Sequence, residues 1–315
     1  MEMKDRKPGP NDACWCGSGR KYKKCHQAQD QAGAQGVVEP PAATPRRDPL
    51  HLDEPERNSM RRACAFNAQL MDYIRDYVKP GITTGEIDTL VHDYTIQHGH
   101  TPATLGYRGF TKSCCTSVNE VICHGIPGPL MLKEGDIINV DLTSIVDGWF
   151  GDQSETLLVG EVSDEALRVT QCSFDAMWAA IDALTPGCKV KEIGRAIQRV
   201  AKAAGFAVVK EFFGHGIGKR FHQRPHIPHF AENAHGNEVL EPGMCFTIEP
   251  MINVGNWRSE VDRADGWTAY TVDRRLSAQF EHTILMTEKG PEVMTLTKRG
   301  PQRGHKFTNQ QPANA

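Results

Sequence analysis

Residues Ile137–Val159 read IINVDLTSIVDGWFGDQSETLLV, two β-favouring runs joined by Asp147-Gly148. Asp-Gly between such runs is a strong signal for a two-residue hairpin, because both central positions need a left-handed backbone. With Val146 opposite Trp149, the register sets Thr143 opposite Asp152. Asp141 lies two residues before Thr143 and shares its face. The two carboxylates become diagonal neighbours, their β-carbons about 5–8 Å apart. That suits two carboxylates gripping a pair of cations about 3.5–4 Å apart. The ordinary reading of such a hairpin is two solvated acids on an outer sheet face, so the choice rests on the rest of the chain.

The chain has 315 residues, room for one large domain and an appendage. It is 39% hydrophobic and 24% charged, the balance of a soluble globular protein. No run reaches the ~18 apolar residues of a membrane helix, and the start, MEMKDRKPGP, lacks the apolar core of a signal peptide. A cytoplasmic monomer without a membrane partner is expected. Cys14, Cys16 and Cys25 sit together; the other cysteines are scattered, some in apolar runs (Cys123, Cys245), which fits reduced thiols. Residues 1–26 hold seven Lys/Arg against three Asp/Glu, +4, so against the whole-chain −3 the remainder carries −7. A basic head on an acidic body points to a polyanionic partner for the head.

Residues 11–26 read NDACWCGSGRKYKKCH. Cys14, Cys16, Cys25 and His26 supply three thiolates and one imidazole, the donors of a closed tetrahedral zinc site. The segment resembles the SEC-C zinc-binding motif. So short a stretch cannot bury a core, so one zinc ion would provide most of its folding energy. Residues 27–50, rich in Gln, Ala, Gly and Pro without a hydrophobic period, read as a linker. The body is expected over 51–298 and a polar, frayed tail over 299–315.

Within the body, Met60, Cys64, Leu70, Met71, Ile74 and Val78 mark a helix from Glu54 to about Tyr77. Thr83-Thr84-Gly85-Glu86 is a capping box opening a second helix, to about Gln97. Ser163 caps a third, to about Leu184, and a fourth runs from about Val190 to Ala204. Strands are expected near 206–213, 244–252, 267–272 and 278–286. A repeat runs through this order. Pro80-Gly81, Glu86-Ile87 and Gly99 recur as Pro186-Gly187, Glu192-Ile193 and Gly205, at an offset of 106; Leu132, Gly135 and Asp141 recur as Leu240, Gly243 and Glu249, at 108. Two such halves facing each other would bring their acids to one pseudo-symmetric centre.

Five residues converge by this argument: Asp141, Asp152, His215, Glu249 and Glu281. His215 lies among glycines in Phe213-Gly-His-Gly-Ile-Gly218, where backbone approaches a site closely. Glu249, in FTIEP, and Glu281, in SAQFEHTI, sit in apolar strand-like runs without a nearby Lys or Arg. A charged Glu in a buried strand needs a partner. Four carboxylates are balanced by two divalent cations, and oxygen donors with one imidazole suit Mn, Fe, Co or Zn.

The stretches NVDLTSIVDGWFGDQSETLLVG, FFGHGIGKRFH, FTIEPM and SAQFEHTI, with SVNEVICHGIPG upstream, resemble the type I methionine aminopeptidases over roughly residues 51–298. The resemblance implies an α+β pita-bread (creatinase/aminopeptidase) fold and a dinuclear centre held by Asp141, Asp152, His215, Glu249 and Glu281. Only 31 residues separate Glu249 from Glu281, which fits type I over the insertion-bearing type II. It further implies His124 at the substrate amide, His222 at the carbonyl oxygen, Glu249 as proton shuttle, and a methionine pocket of Tyr107, Phe110, Cys115, Phe221 and Trp267. Aromatic walls suit a thioether. Thr104 and Arg108 depart from common bacterial members near the pocket mouth.

The implied activity is removal of initiator methionine from nascent chains before a small second residue. A prolidase-like or aminopeptidase P-like enzyme is the alternative within the fold. A non-catalytic binding protein would have lost a ligand, and none is lost. A nucleic-acid-binding zinc protein is disfavoured by the acidic body. The head, with Arg20, Lys21, Lys23 and Lys24 beside Trp15 and Tyr22, is expected to dock on the ribosome or an associated factor.

Overall fold

The computed structural model describes residues 9–14, 18–27 and 50–309. The chain forms two compact units, Met1–Asp48 and Pro49–Ala315. In the first, Ala13 bridges to Lys21 and a single 3-10 turn spans Tyr22–Lys24. Cys16 and the linker residues 28–49 lie outside the described residues.

The second unit opens with α1 (Glu54–Arg75) and α2 (Thr84–Gln97). Both begin in capping boxes, Asp53 with Glu56 and Thr83 with Glu86, each satisfying two otherwise orphaned amides. Met60, Cys64, Leu70, Met71 and Ile74 line the buried face of α1. α3 (Asp164–Asp182), capped by Ser163, and α4 (Lys191–Ala204) form the second pair.

Among the described residues fifteen strands follow in chain order: β1 (Thr101–Pro102), β2 (Cys115–Val118), β3 (Val121–Cys123), β4 (Ile137–Val146), β5 (Trp149–Leu158), β6 (Ala207–Val208), β7 (Gly214–Gly216), β8 (Gln223–Ile227), β9 (Cys245–Ile248), β10 (Met251–Asn253), β11 (Ser259–Val261), β12 (Ala269–Thr271), β13 (Ser277–Gln279), β14 (Glu281–Thr287) and β15 (Gly290–Val293). The main sheet runs β1-β4-β5-β14-β9-β7-β8, with β2 on β4 and β15 on β14, and its pairings are antiparallel. Two three-stranded sheets, β13-β10-β6 and β11-β12-β3, flank it.

The β4–β5 hairpin has the register its turn dictates. Asp147 (φ 51°) and Gly148 (φ 80°) are both left-handed, Val146 faces Trp149, and Thr143 faces Asp152. The internal repeat appears as matched hydrogen bonds. Gly81 N–H donates to Leu132 O at 2.9 Å, and Gly187 N–H to Leu240 O at 2.8 Å. Isolated bridges Thr83–Met131 and Lys189–Val239 repeat at the same two offsets. Each half packs its helices against the sheet: Leu70, Ile74, Ile87 and Val140 in one core, Phe174, Ile193, Phe246 and Phe280 in the other.

Three expectations need correction. The run 244–252 is two strands, broken at Glu249-Pro250, because proline has no N–H for the ladder; β9 stays in the main sheet and β10 joins a small one. The run 278–286 also divides, at Phe280, where the chain passes from β13 in the small sheet to β14 in the main one. The frayed tail is also wrong over 299–309. Arg299 pairs with Asp76, Arg303 with Asp182 at 2.6 Å, and Asn309 exchanges two 2.9 Å bonds with the Val162 backbone. Phe307 packs edge-on to Phe174 at 5.5 Å. The segment therefore straps α1 to α3.

Candidate metal centre and substrate cavity

Strand pairing alone explains why distant acids meet. Asp141 of β4 and Glu281 of β14 both lie opposite Ser154 of β5. Asp152 is two residues from Ser154 and on its face. Glu249 directly follows β9, whose Ile248 pairs with His282. His215 is the centre of β7, whose Gly216 pairs with Phe246. Gly214 and Gly216 are needed there: a β-carbon would lie 2.5 Å from Thr247 O at the first and 1.9 Å from Arg224 O at the second.

His215 Nε2 lies 3.5 Å from Asp152 Oδ2 and 3.8 Å from Glu249 Oε1. Asp152, His215 and Glu281 each present one ligand atom, all within 4.8 Å of one another. His215 Nδ1–H donates to Gly216 O at 3.1 Å, which leaves Nε2 as the free donor atom. A surrounding layer of bonds fixes the acids. Thr143 Oγ1–H donates to Asp152 Oδ1 at 2.8 Å. Thr247 Oγ1–H donates to Glu249 Oε1 at 2.8 Å and accepts the His215 N–H at 3.0 Å; Gln279 Nε2–H donates to Glu249 Oε2 at 3.2 Å. The sequence set Thr143 opposite Asp152 without giving it a role, and left out Thr247 and Gln279; their signal is polarity at inward positions of buried strands.

Electrostatics mark the site as built for a cation. Burial pushes Asp141 well above the usual carboxylate range, with Asp152 and Glu249 adding to it. Burial does the same to Glu281, helped by Asp152, Glu249 and Asp141. Glu249 is lifted to about 7, chiefly by burial. For His215, burial works downward, but the bond to Asp152 and the charges of Glu249 and Asp152 outweigh it and raise its pKa. Among the described residues no Lys or Arg forms an ion pair with these four acids; their recorded pairings are to His215. Oxygen-rich donors with one imidazole and an unbalanced negative charge fit divalent metal ions.

The acids form the floor of a cavity of about 550 Å³. Tyr107, Phe110, Cys115, His124, Phe221, His222 and Trp267 all line it, as do Thr104 and Arg108. Trp267 stands edge-on to Phe110 at 5.2 Å and to His124 at 6.0 Å, and Tyr107 packs on Phe221 at 4.9 Å. Tyr107 also bonds His222 Nδ1 at 2.9 Å, a contact across 115 residues that no spacing announced. Thr104 turns its hydroxyl to Lys112 O, and the Arg108 guanidinium lies 5.3 Å over the Tyr107 ring. Burial, then His215, holds His124 down to about 4 and His222 to about 3.

In the N-terminal unit His26 Nδ1 lies 3.1 Å from Cys14 Sγ and 3.2 Å from Cys25 Sγ. These three donors cluster within 4.8 Å.

Fold, donor set and cavity define a metal-dependent hydrolase with an aromatic-walled pocket. Comparison with known proteins specifies the class. The model of metallopeptidase family M24 matches residues 58–288, and that of the SEC-C motif matches residues 11–28. The chain belongs to metallopeptidase family M24. It is 51% identical over 246 residues to methionine aminopeptidase A of Synechocystis sp., covering 78% of this chain and 96% of that protein. It is 46% identical over 240 residues to the methionine aminopeptidase of Rickettsia prowazekii, covering 76% and 92%. The crystal structure of the Rickettsia prowazekii enzyme matches with a TM-score of 0.76 at 46% identity, over 78% of this chain and 99% of that one. Prolidase from Pyrococcus furiosus matches at TM-score 0.65 and 19% identity, over 79% of this chain and 66% of that one, and shows the shared fold. No helix among the described residues is long and apolar enough to cross a membrane.

Proposed function

We infer that this chain removes the N-terminal methionine from new polypeptides when the next residue is small. One observation carries the reading: five ligand-type side chains meet at the floor of a cavity walled by Tyr107, Phe110, Phe221 and Trp267. Such walls accept one apolar thioether and favour sulfur–aromatic contact. Methionine aminopeptidase relatives align over nine-tenths or more of their own length.

Asp141, Asp152, His215, Glu249 and Glu281 would hold two divalent cations (Co, Mn, Fe or Zn), which when bound supply charge neutralisation, carbonyl polarisation and an acidic water. Glu249, oriented by Thr247 and Gln279, takes a proton from the attacking water at a carboxylate oxygen and returns it to the leaving amine. His222 is neutral at pH 7. The tautomer with its proton on Nε2 accepts the Tyr107 O–H at Nδ1 and presents Nε2–H as a donor for the carbonyl oxygen as negative charge develops. His124, also neutral, bonds the substrate amide. Its backbone is left-handed, φ 58°, and Phe212 and Trp267 both meet its ring edge-on, which fixes its orientation.

The test is hydrolysis by metal-stripped protein re-supplied with each metal in turn. Met-Gly-Met-Met is expected to be cleaved and Met-Glu and X-Pro substrates refused. Cleavage of X-Pro in preference would move the enzyme to the prolidase-like reading.

In the same reading Cys14, Cys16, Cys25 and His26 hold one zinc ion, and the basic head docks the cytoplasmic enzyme on the ribosome. Removing residues 1–48 tests this, since His51 and Leu52 pack against Gly243 of the body and must stay. Peptide hydrolysis is expected to persist and ribosome co-sedimentation to fall. Equal sedimentation of both forms rejects the docking role.

A further inference from the structure

One face of α4 departs from the acidic character of the body. Lys191, Arg195, Arg199 and Lys202 recur along it at helical spacing, about 16 Å from first to last at ~1.5 Å per residue. With the loop at 231–237 they line an open groove of about 600 Å³. The groove is preformed. At Gly194 a β-carbon would lie 2.4 Å from the Phe230 carbonyl carbon, so glycine lets the loop sit flush on the helix. Gln198 bridges the two, accepting the Ala231 N–H at 3.0 Å and donating to Glu232 Oε2 at 3.0 Å.

The cations are weakly engaged. Arg195 pairs with Glu192 at 2.7 Å, with both side chains more than a third exposed, a class of pair that contributes little. Lys191 reaches Asn237 Oδ1 at 3.4 Å. The side chains of Arg199 and Lys202 have no hydrogen bond or ion pair with any described residue. Four cations against Glu192 and Glu232 give this face +2, on a chain whose residues after 26 sum to −7.

We propose that the α4 groove binds RNA by its phosphate backbone. Arginine forks match phosphate oxygens bidentately. About 16 Å of stacked strand, rising ~3.4 Å per nucleotide, passes roughly five phosphates, a good match to the four cations. A protein partner needs buried apolar anchors, and Ala231 is the sole apolar side chain lining the groove. A membrane surface holds a basic face firmly only where apolar groups also insert, and here Ala231 alone is apolar. No aromatic ring lines the groove, so bases have nothing to stack on and contact is independent of sequence. The choice of RNA over other polyanions rests on the proposed action on new polypeptides, which are made on an RNA particle.

The test uses the full-length, metal-loaded chain and a fluorescein-labelled 20-nucleotide single-stranded RNA of mixed sequence, read by anisotropy from 50 to 200 mM KCl. Loss of three phosphate contacts in the triple variant Arg195→Gln, Arg199→Gln, Lys202→Gln is expected to flatten the slope of log K against log salt by about 2. At 100 mM that is about a hundredfold weaker binding, at ~0.7 per neutralised phosphate. Met-Gly-Met-Met hydrolysis and melting temperature are expected to be unchanged. A head variant, Lys21→Gln, Lys23→Gln, Lys24→Gln, is expected to keep the α4-dependent part of the slope. The proposal is overturned if the α4 variant binds RNA as the natural chain does, or if poly-glutamate displaces RNA at equal charge. Absence of RNA binding with intact peptide hydrolysis also overturns it but leaves the peptidase reading standing. Absence of Met-peptide hydrolysis strikes the peptidase reading instead.

Discussion

Replacing Glu281 by glutamine is expected to stabilise the metal-stripped protein while abolishing its activity. Glu281 is buried, and its oxygen lies within 4.8 Å of one on Asp152. Two like charges at that distance repel by about 3.5 kcal/mol at an effective dielectric of ~20. Proton uptake relieves part of this, because Glu281, Asp141 and Glu249 all hold protons above the usual range. A net gain of about 2–3 kcal/mol at pH 8 remains, or roughly 4–12 °C in Tm for a body of this size. The sign of the pH dependence follows from the same groups. Acids whose folded pKa is raised contribute stability that is full below their ordinary range and lost as pH climbs through the folded value. Metal-stripped natural protein is therefore expected to lose stability between pH 5.5 and 8, with Glu249 titrating near 7. The variant loses less, so its advantage grows with pH. Divalent metal at a hundred times its Kd would stabilise the natural chain by about 2.7 kcal/mol and the variant by less. Calorimetry of EDTA-treated protein at both pH values, before and after Mn or Co, measures all of this. A metal-stripped Glu281→Gln that melts below the natural protein at pH 8, or an advantage larger at pH 5.5, would refute the charge-crowding argument.

Asp152→Asn is expected to abolish turnover without unfolding the chain; full metal occupancy with near-natural activity would sink the five-ligand reading. Asp265 accepts bonds from Trp267 N–H, Thr268 N–H and Thr268 Oγ1–H at 2.6–2.9 Å, so Asp265→Ala is expected to free Trp267. Steady-state kinetics would then show KM for Met-peptides raised about tenfold, ~1.4 kcal/mol of lost hydrogen bonding, with kcat nearly unchanged. Gly151→Ala places a β-carbon 2.6 Å from Ala63 O and 2.7 Å from Ala63 C, backbone against backbone. The expected loss is about 3 kcal/mol, visible as a lower urea midpoint. Arg75 Nη2–H donates to buried Glu155 at 2.6 Å, and burial raises the Glu155 pKa even with Arg75 beside it. Arg75→Met is therefore expected to cost about 3–5 kcal/mol, less at pH 5 than at pH 8 because the stranded acid can protonate; an equal deficit at both would count against it.

Several features were legible in the chain because they are local. Asp147-Gly148 sets the hairpin register, since turn type and side-chain alternation together leave one pairing. Thr83 and Glu86 announce a helix start because both partners of the capping box lie within four residues. The repeat was readable because each half must make the same Pro-Gly turn, and its paired offsets reappear in the bonds of Gly81 and Gly187. The acid and imidazole types at 141, 152, 215, 249 and 281 named a kind of chemistry. Their meeting was decided by strand order: β14 slots between β5 and β9, and nothing local specifies that neighbour. The same holds for Thr247 bridging His215 and Glu249, and for Tyr107 meeting His222. The segment at 299–309 is the plainest case. It has no hydrophobic period of its own, and its order comes from Asp76, Asp182, Val162 and Phe174 on helices and loops placed by the rest of the fold. A sequence pattern reports what a segment can satisfy by itself. Partners that lie on other elements exist as a surface only after those elements have packed.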